Sequence, residues 1–218
     1  HHISRLQAIH RLNSTANDHI GFSVGLSGDS LVVGAANRNN GAGAVYFFER
    51  LGESWAQKSE IIGTAGEHLG ADVDVFGPRA VAGAASANKA YFYSYNGVAW
   101  TQSQVITGTG NLAGEFGQSV AMDGNSVVIG APSGNSGKGA AAVYVNSGTW
   151  VQQDVLLSTE LSAAQQFESH VSPASGDRFG SAVDISGDIV AIGAPLSAVF
   201  GKGLPGAVYT YQRTETIW

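Results

Sequence analysis

Apolar and polar residues alternate with a period of two along much of this chain, and helical periodicity is nearly absent. In "DRFGSAVDISGDIVAIGAP", residues 177–195, Val183 and Ile185 stand two apart. A Gly187-Asp188 break follows, and an apolar run then leads to Gly193-Ala194-Pro195. Val24 with Leu26, Val73 with Val75, and Val120 with Met122 repeat the first pair. Such alternation marks a strand with one apolar face. The breaks at Gly28-Asp29, Gly77-Pro78, Gly124-Asn125 and Gly187-Asp188 read as tight hairpin turns, where glycine supplies backbone angles that other residues resist. A second strand follows each turn, as "SLVVGA", "RAVAGA", "SVVIGA" and "DIVAIGA".

The pattern is a fourfold repeat. Copies start near residues 18, 67, 114 and 177, and in each a marked glycine (Gly21, Gly70, Gly117, Gly180) precedes a second (Gly34, Gly83, Gly130, Gly193) by thirteen residues. An apolar segment with a tyrosine comes next (Tyr46, Tyr91, Tyr144, Tyr209), then a tryptophan (Trp55, Trp100, Trp150, Trp218). The first three tryptophans lead into short mixed segments, "AQKSEII", "TQSQVI" and "VQQDVLL". Each unit therefore predicts four strands. Four-stranded units repeated at this length predict an all-β protein, a β-propeller of four blades forming one domain over residues 1–218. Strands near a propeller axis crowd together, which explains glycine and alanine where a larger side chain would clash.

Two copies carry a recognisable signature. Phe116-Gly117 with Gly130-Ala131-Pro132, and Phe179-Gly180 with Gly193-Ala194-Pro195, resemble FG-GAP repeats. Those repeats build the propeller head of integrin α chains and of many bacterial and algal surface proteins. Copies one and two depart from the pattern, with Ile20 and Leu69 for Phe and with Ala36 and Ala85 for Pro. The resemblance implies adhesion or ligand binding outside the cell, with no enzymatic activity in the repeats themselves. The family often carries calcium on Asp-x-Asp-x-Asp-Gly loops, because calcium takes several oxygen ligands. The four hairpins here are too short and too poor in acids to carry that over.

The ends of the pattern raise a question of closure. The fourth copy reaches Trp218 where its outer strand should begin, and "ISRLQAI" near the N-terminus resembles the missing segment. Residues 1–10 are therefore expected to supply the outer strand of the last blade, which would close the ring and cover an exposed edge. The alternatives are insertion of that strand into a neighbouring molecule, giving self-association, or membership of a larger propeller.

Composition narrows the chemistry. Hydrophobic residues make up 44% and charged residues 13%, the reverse of a disordered chain. A net charge of −6 with scattered basic residues argues against a nucleic-acid partner. The absence of cysteine excludes disulfides, thiolate metal sites and cysteine nucleophiles, and no apolar run is long enough to span a bilayer. No P-loop is present, so no enzyme is expected, and a polysaccharide-active enzyme ranks third among the readings.

Candidate sites lie on the inner strands and on two connections. Asp72 and Asp74 share one face of an inner strand and Asp184 occupies the position of Asp74, so these carboxylates either hold a cation, calcium for instance, near the axis or accept backbone hydrogen bonds. The recurring acids Asp18, Glu67 and Asp177 are expected to anchor turns, and the tryptophans to pack between blades rather than to stack on sugars. The connections that break the repeat are 158–176, with Phe167, Glu168 and His170, and 196–206, with Phe200 and Lys202. Loops on a rigid scaffold carry function, so these five residues are the expected contacts for a protein or glycan ligand at the cell surface.

Overall fold

The computed structural model describes residues 17–158, 171–172, 176–199 and 206–214. Every repeat begins with the hairpin that the alternation predicts. Gly28, Gly77, Gly124 and Gly187 take φ of +55° to +58° at the first central position, while the second central residue, Pro78 in repeat 2, does not. That is the type II′ pattern, whose twist matches the paired strands.

Repeat 1 forms one antiparallel sheet from β1 (Ser23–Ser27), β2 (Ser30–Gly34), β3 (Ala44–Leu51) and β4 (Ser54–Ile62), in that order. Repeat 2 does the same with β5 (Val73–Phe76), β6 (Arg79–Ala84), β7 (Lys89–Tyr95) and β8 (Trp100–Thr107). Repeat 3 uses β9 (Val120–Asp123), β10 (Ser126–Ala131), β11 (Ala140–Asn146) and β12 (Trp150–Leu156). After β13 (Val171–Ser172), repeat 4 places β14 (Ala182–Ser186) beside β15 (Ile189–Ala194), while β16 (Ala198–Val199) pairs with β13. β17 (Ala207–Gln212) then pairs with β15, so this sheet has three strands among the described residues. The fold is all-β, with the sheets side by side in a propeller-like arrangement.

The register corrects one alignment read from the sequence. Tyr46, Tyr91 and Tyr209 pair with Val33, Ala82 and Ile192, one residue before the second marked glycine. In repeat 3 that place belongs to Ala142, opposite Ile129, and Tyr144 lies two residues further on. A β-bulge at Phe47/Phe48, Phe92/Tyr93 and Val143/Tyr144 fixes the equivalence, since it falls at one place in three sheets. Tyr144 thus matches Phe48 and Tyr93, each seven residues before its tryptophan, although Tyr144 stands six before Trp150.

Packing between sheets, rather than within them, builds the core. Val32, Val45 and Phe47 of repeat 1 cluster with Leu69, Val73, Val75, Tyr93 and Trp100 of repeat 2. The same relation joins Val81 and Phe92 to Phe116, Val120 and Met122, and joins Val128 and Val143 to Phe179, Ile185 and Ile192. The second marked glycine explains how closely the sheets approach. A methyl group on Gly34, Gly83 or Gly130 would lie 2.1, 1.8 or 2.0 Å from the carbonyl oxygen of Gly70, Gly117 or Gly180. The crowding that the sequence attributed to an axis is therefore contact with the first marked glycine of the next repeat.

Among the described residues, repeats 4 and 1 do not make this contact. A methyl group on Gly193 would meet, among the described residues, only its own sheet, and one on Gly21 would meet nothing within 4 Å. The cluster on the outward face of repeat 1, around Val33, Tyr46 and Phe48, draws on repeat 1 alone among the described residues. The expected outer strand from residues 1–10 lies outside the described residues.

Candidate functional site

The inner strands bring Asp72 and Asp74 together as sheet-to-sheet ties. Asp72 accepts the N–H of Val73 on one oxygen, at 3.1 Å, and that of Val120 in repeat 3 on the other, at 2.8 Å. Asp74 likewise accepts from Val75 at 2.8 Å and from Met122 at 2.7 Å. Among the described residues, β5 and β9 each have one edge free of strand partners, and side-chain oxygens satisfy the amides that point from it. Ser23 and Ser119 work in the opposite sense, each donating its hydroxyl at 2.9 Å to the carbonyl of the next repeat's first marked glycine, Gly70 or Gly180. Asp184 is exposed on β14, accepts the N–H of Ile185 at 2.9 Å, and lies near enough to Asp74 to raise its pKa. Among the described residues no three His, Asp or Glu side chains gather closely enough to hold a metal ion.

Burial decides the protonation of this pair. It pushes Asp72 up to about 6, against the opposing pull of the Val120 and Val73 amides, with Asp74 adding a smaller push upward. Asp74 is raised as well, first by burial and then by the charges of Asp184 and Asp123. Because Asp72 holds its proton more tightly in the fold than in an unfolded chain, it favours folding fully below pH 3.8 and loses that contribution as pH rises through about 6. The difference is on the order of 3 kcal/mol. Asp72→Asn should therefore lose less stability than the parent between about pH 4 and pH 7, as read by urea unfolding. Parallel stability curves for the two proteins would overturn the assignment.

The recurring acids sit at the turn before each first marked glycine. Asp18 pairs with Arg38 at 3.0 Å. Glu67 accepts from Lys89 at 2.6 Å, from the Thr64 N–H at 3.0 Å and from Tyr91. Burial alone would raise Glu67, but these partners together hold it below its usual value. Asp177 is buried and accepts the Ser197 hydroxyl at 3.3 Å. Glu67 thus anchors its turn through a backbone amide as expected, while the bonds to Lys89 and Tyr91 of the same repeat were not legible from spacing.

The five expected ligand contacts, Phe167, Glu168, His170, Phe200 and Lys202, all lie outside the described residues. The structure adds a groove that the sequence did not single out. It measures about 300 Å³ between repeats 2 and 3, and Arg79, Tyr95, Gln104 and Trp150 line it together with Asn146 and Thr149. Gln104 is fixed there, donating to the Trp150 carbonyl at 2.8 Å and accepting the Trp150 N–H at 2.9 Å. Arg79 reaches the Gly124 carbonyl at 3.3 Å, while its Nε is buried without a partner. One signal was available, since Arg79 occupies the register position of Ser30, Ser126 and Ile189.

Sheets that each hand a glycine carbonyl to their neighbour's glycine define a repeat protein whose structural unit is the blade-like sheet. The chain belongs to the FG-GAP repeat family, whose model matches residues 7–48, 100–146 and 172–211, more than half of its length. The middle match starts at Trp100, so it takes β8 together with β9–β11 and is offset from the sheet by one strand. No curated protein matches the chain. FG-GAP repeats are found in adhesion and binding domains, generally serve as non-enzymatic scaffolds, and are typical of extracellular proteins. Among the described residues no helix is long and apolar enough to cross a membrane.

Proposed function

We propose that this chain is a non-enzymatic binding and adhesion module of the extracellular space or cell surface, a single β-propeller domain over residues 1–218 that presents loops on a rigid scaffold. One observation carries the reading: the acids at the repeated positions are engaged in holding the scaffold together. Asp72 and Asp74 are tied to backbone amides of the next repeat, and Glu67 and Asp18 are tied to Lys89 and Arg38. General acid–base chemistry needs acids poised toward a substrate, whereas these face the scaffold. Ligand contact then falls to the connections that break the repeat, with Phe167, Glu168, His170, Phe200 and Lys202 as the contacts and a protein or glycan as the ligand. Phe167→Ala with Lys202→Ala should abolish binding on a glycan array or to immobilised extracellular-matrix protein, with the thermal midpoint unchanged. Turnover of a polysaccharide by the parent chain, lost on replacement of one carboxylate, would instead make it an enzyme.

A second reading, a structural subunit that assembles by exchange of its N-terminal strand, is favoured by β17. That strand has β15 on one side and no strand on the other among the described residues, where the other three sheets carry a fourth strand. Removal of residues 1–10 would dissolve such assemblies, and oligomers that survive the truncation would exclude this route.

A further inference from the structure

We propose that the groove between repeats 2 and 3 binds a carboxylated sugar, a hexuronate residue of an acidic polysaccharide, with the carboxylate on Arg79. The charge of Arg79 is the starting point. Arg38, Arg50, Arg178 and Arg213 each pair with a carboxylate of this chain. Arg79 pairs with none among the described residues. Its Nη2 donates to the Gly124 carbonyl at 3.3 Å, and its Nε is buried without a partner. In a chain of net charge −6, a half-buried arginine without a carboxylate is a costly arrangement. The scaffold does not require it. Repeats 1, 3 and 4 place Ser30, Ser126 and Ile189 at the same register position and form the same hairpin.

Arg79 is held ready for an acid. Its tie to Gly124, in the inner hairpin of the next repeat, fixes the guanidinium and still leaves at least one N–H on each Nη nitrogen. Neighbouring guanidinium N–H groups form the fork that receives a carboxylate. No Asp or Glu lines the groove among the described residues, so nothing there repels an incoming acid or takes its place.

The rest of the lining matches a sugar. Asn146 accepts the Gly148 N–H on Oδ1 at 3.0 Å, which leaves its Nδ2 donors uncommitted. Ser94 and Thr149 add hydroxyls that make no hydrogen bond among the described residues. Tyr95 donates its hydroxyl to the Gly97 carbonyl at 3.0 Å and keeps that oxygen as an acceptor. Gln104 is committed to the Trp150 backbone, which locks β8 to β12 and sets the walls before a ligand arrives. Apart from Pro78, no aliphatic side chain lines the groove among the described residues, so it lacks a seat for the apolar anchor of a protein partner. Hydroxyls and amides around one cation suit the ring hydroxyls and the single carboxylate of a uronate. The volume of about 300 Å³ lies at the small end of small-molecule sites and has room for a pyranose ring.

The test titrates the full chain, by calorimetry, with trimers of galacturonate, glucuronate and mannuronate and with their methyl esters. At least one acid trimer should bind, and its ester, which keeps the sugar and loses the charge, should bind about tenfold more weakly or worse. Arg79→Gln should weaken the acid trimer by a similar factor at an unchanged thermal midpoint. Asn146→Asp keeps an oxygen for the Gly148 N–H and sets a negative charge beside Arg79, so it should weaken binding as much even if Arg79→Gln fails to fold. Failure of every acid trimer to bind overturns the proposal, as does equal affinity for acid and ester or full affinity in the folded variants. Tri-glutamate binding as tightly as the best uronate would also overturn it, because the partner would then be a protein carboxylate. The site takes its residues from repeats 2 and 3, so Phe167→Ala with Lys202→Ala, which removes the ligand held by the two connections, should leave uronate affinity unchanged. Loss of uronate binding in that variant would place the sugar on the connections and overturn the groove. The groove and the adhesion reading therefore fail separately.

Discussion

Gly83→Ala is expected to lower the unfolding free energy by about 3 kcal/mol or more, a reversal of the usual effect of this change. At a compatible site, glycine to alanine stabilises by about 0.4–1 kcal/mol, because the unfolded chain loses freedom. Gly83 has no positive φ, so its backbone would accept an L side chain. The obstacle is the neighbouring repeat, whose Gly117 carbonyl oxygen would lie 1.8 Å from the new methyl. No side chain can rotate away to relieve that contact. Gly117 is itself tied, since its N–H donates to the Gly130 carbonyl at 3.0 Å. Repeats 2 and 3 would have to separate along a core that includes Phe92, Phe116, Val120 and Tyr144. Urea unfolding of parent and variant reads the cost. A midpoint equal to or above that of the parent would mean that the sheets stand further apart than the geometry here requires.

The same glycines show how far the sequence carried the fold. Thirteen-residue spacing, period-two alternation and a glycine at each hairpin were enough to place the paired inner strands of every repeat, because strand period and turn chemistry are local. The need for small residues at Gly34, Gly83 and Gly130 was legible too. Their partner, a glycine carbonyl one repeat later, belongs to tertiary geometry. The register of the third strand was misread in repeat 3 because Tyr144 is the only tyrosine in that segment, and local spacing cannot tell a shift of two residues on one face from true equivalence. The turn before each first marked glycine hides another feature. His19, His68, Glu115 and Arg178 all take φ between +53° and +58°. These residue types do not advertise a left-handed backbone as glycine does, and only His among them is notably tolerant of it. At the inner strands, Asp72 and Asp74 could be placed on one face, but the choice of backbone amides as their partners depends on which strand lies beside β5.

Trp100→Ala should cost about 3–5 kcal/mol, while Trp100→Phe should cost about 1 kcal/mol or less. The contrast rests on what the indole does. Trp100 is buried, its ring stacked on Phe47 of repeat 1 at 4.8 Å between centroids and 13° between planes, with Tyr95 at 5.4 Å on its own sheet. Trp150 repeats the arrangement on Phe92 at 4.8 Å, so the position is a wedge between successive sheets. Truncation to alanine removes the wedge and leaves a cavity that the tied sheets cannot collapse to fill. Phenylalanine keeps a ring against Phe47 and removes an indole N–H that is buried without a hydrogen-bond partner, which offsets part of the lost area. Urea midpoints of the two variants separate this role from recognition. A tryptophan that stacks on a sugar must show a ring face to solvent, and its loss would weaken binding while sparing stability. If Trp100→Ala leaves the midpoint within about 1 kcal/mol of the parent, the ring does not wedge the sheets apart, and the interface of repeats 1 and 2 would have to be held by the close approach of Gly34 to Gly70, the Ser23 hydrogen bond to the Gly70 carbonyl and the rest of the core there.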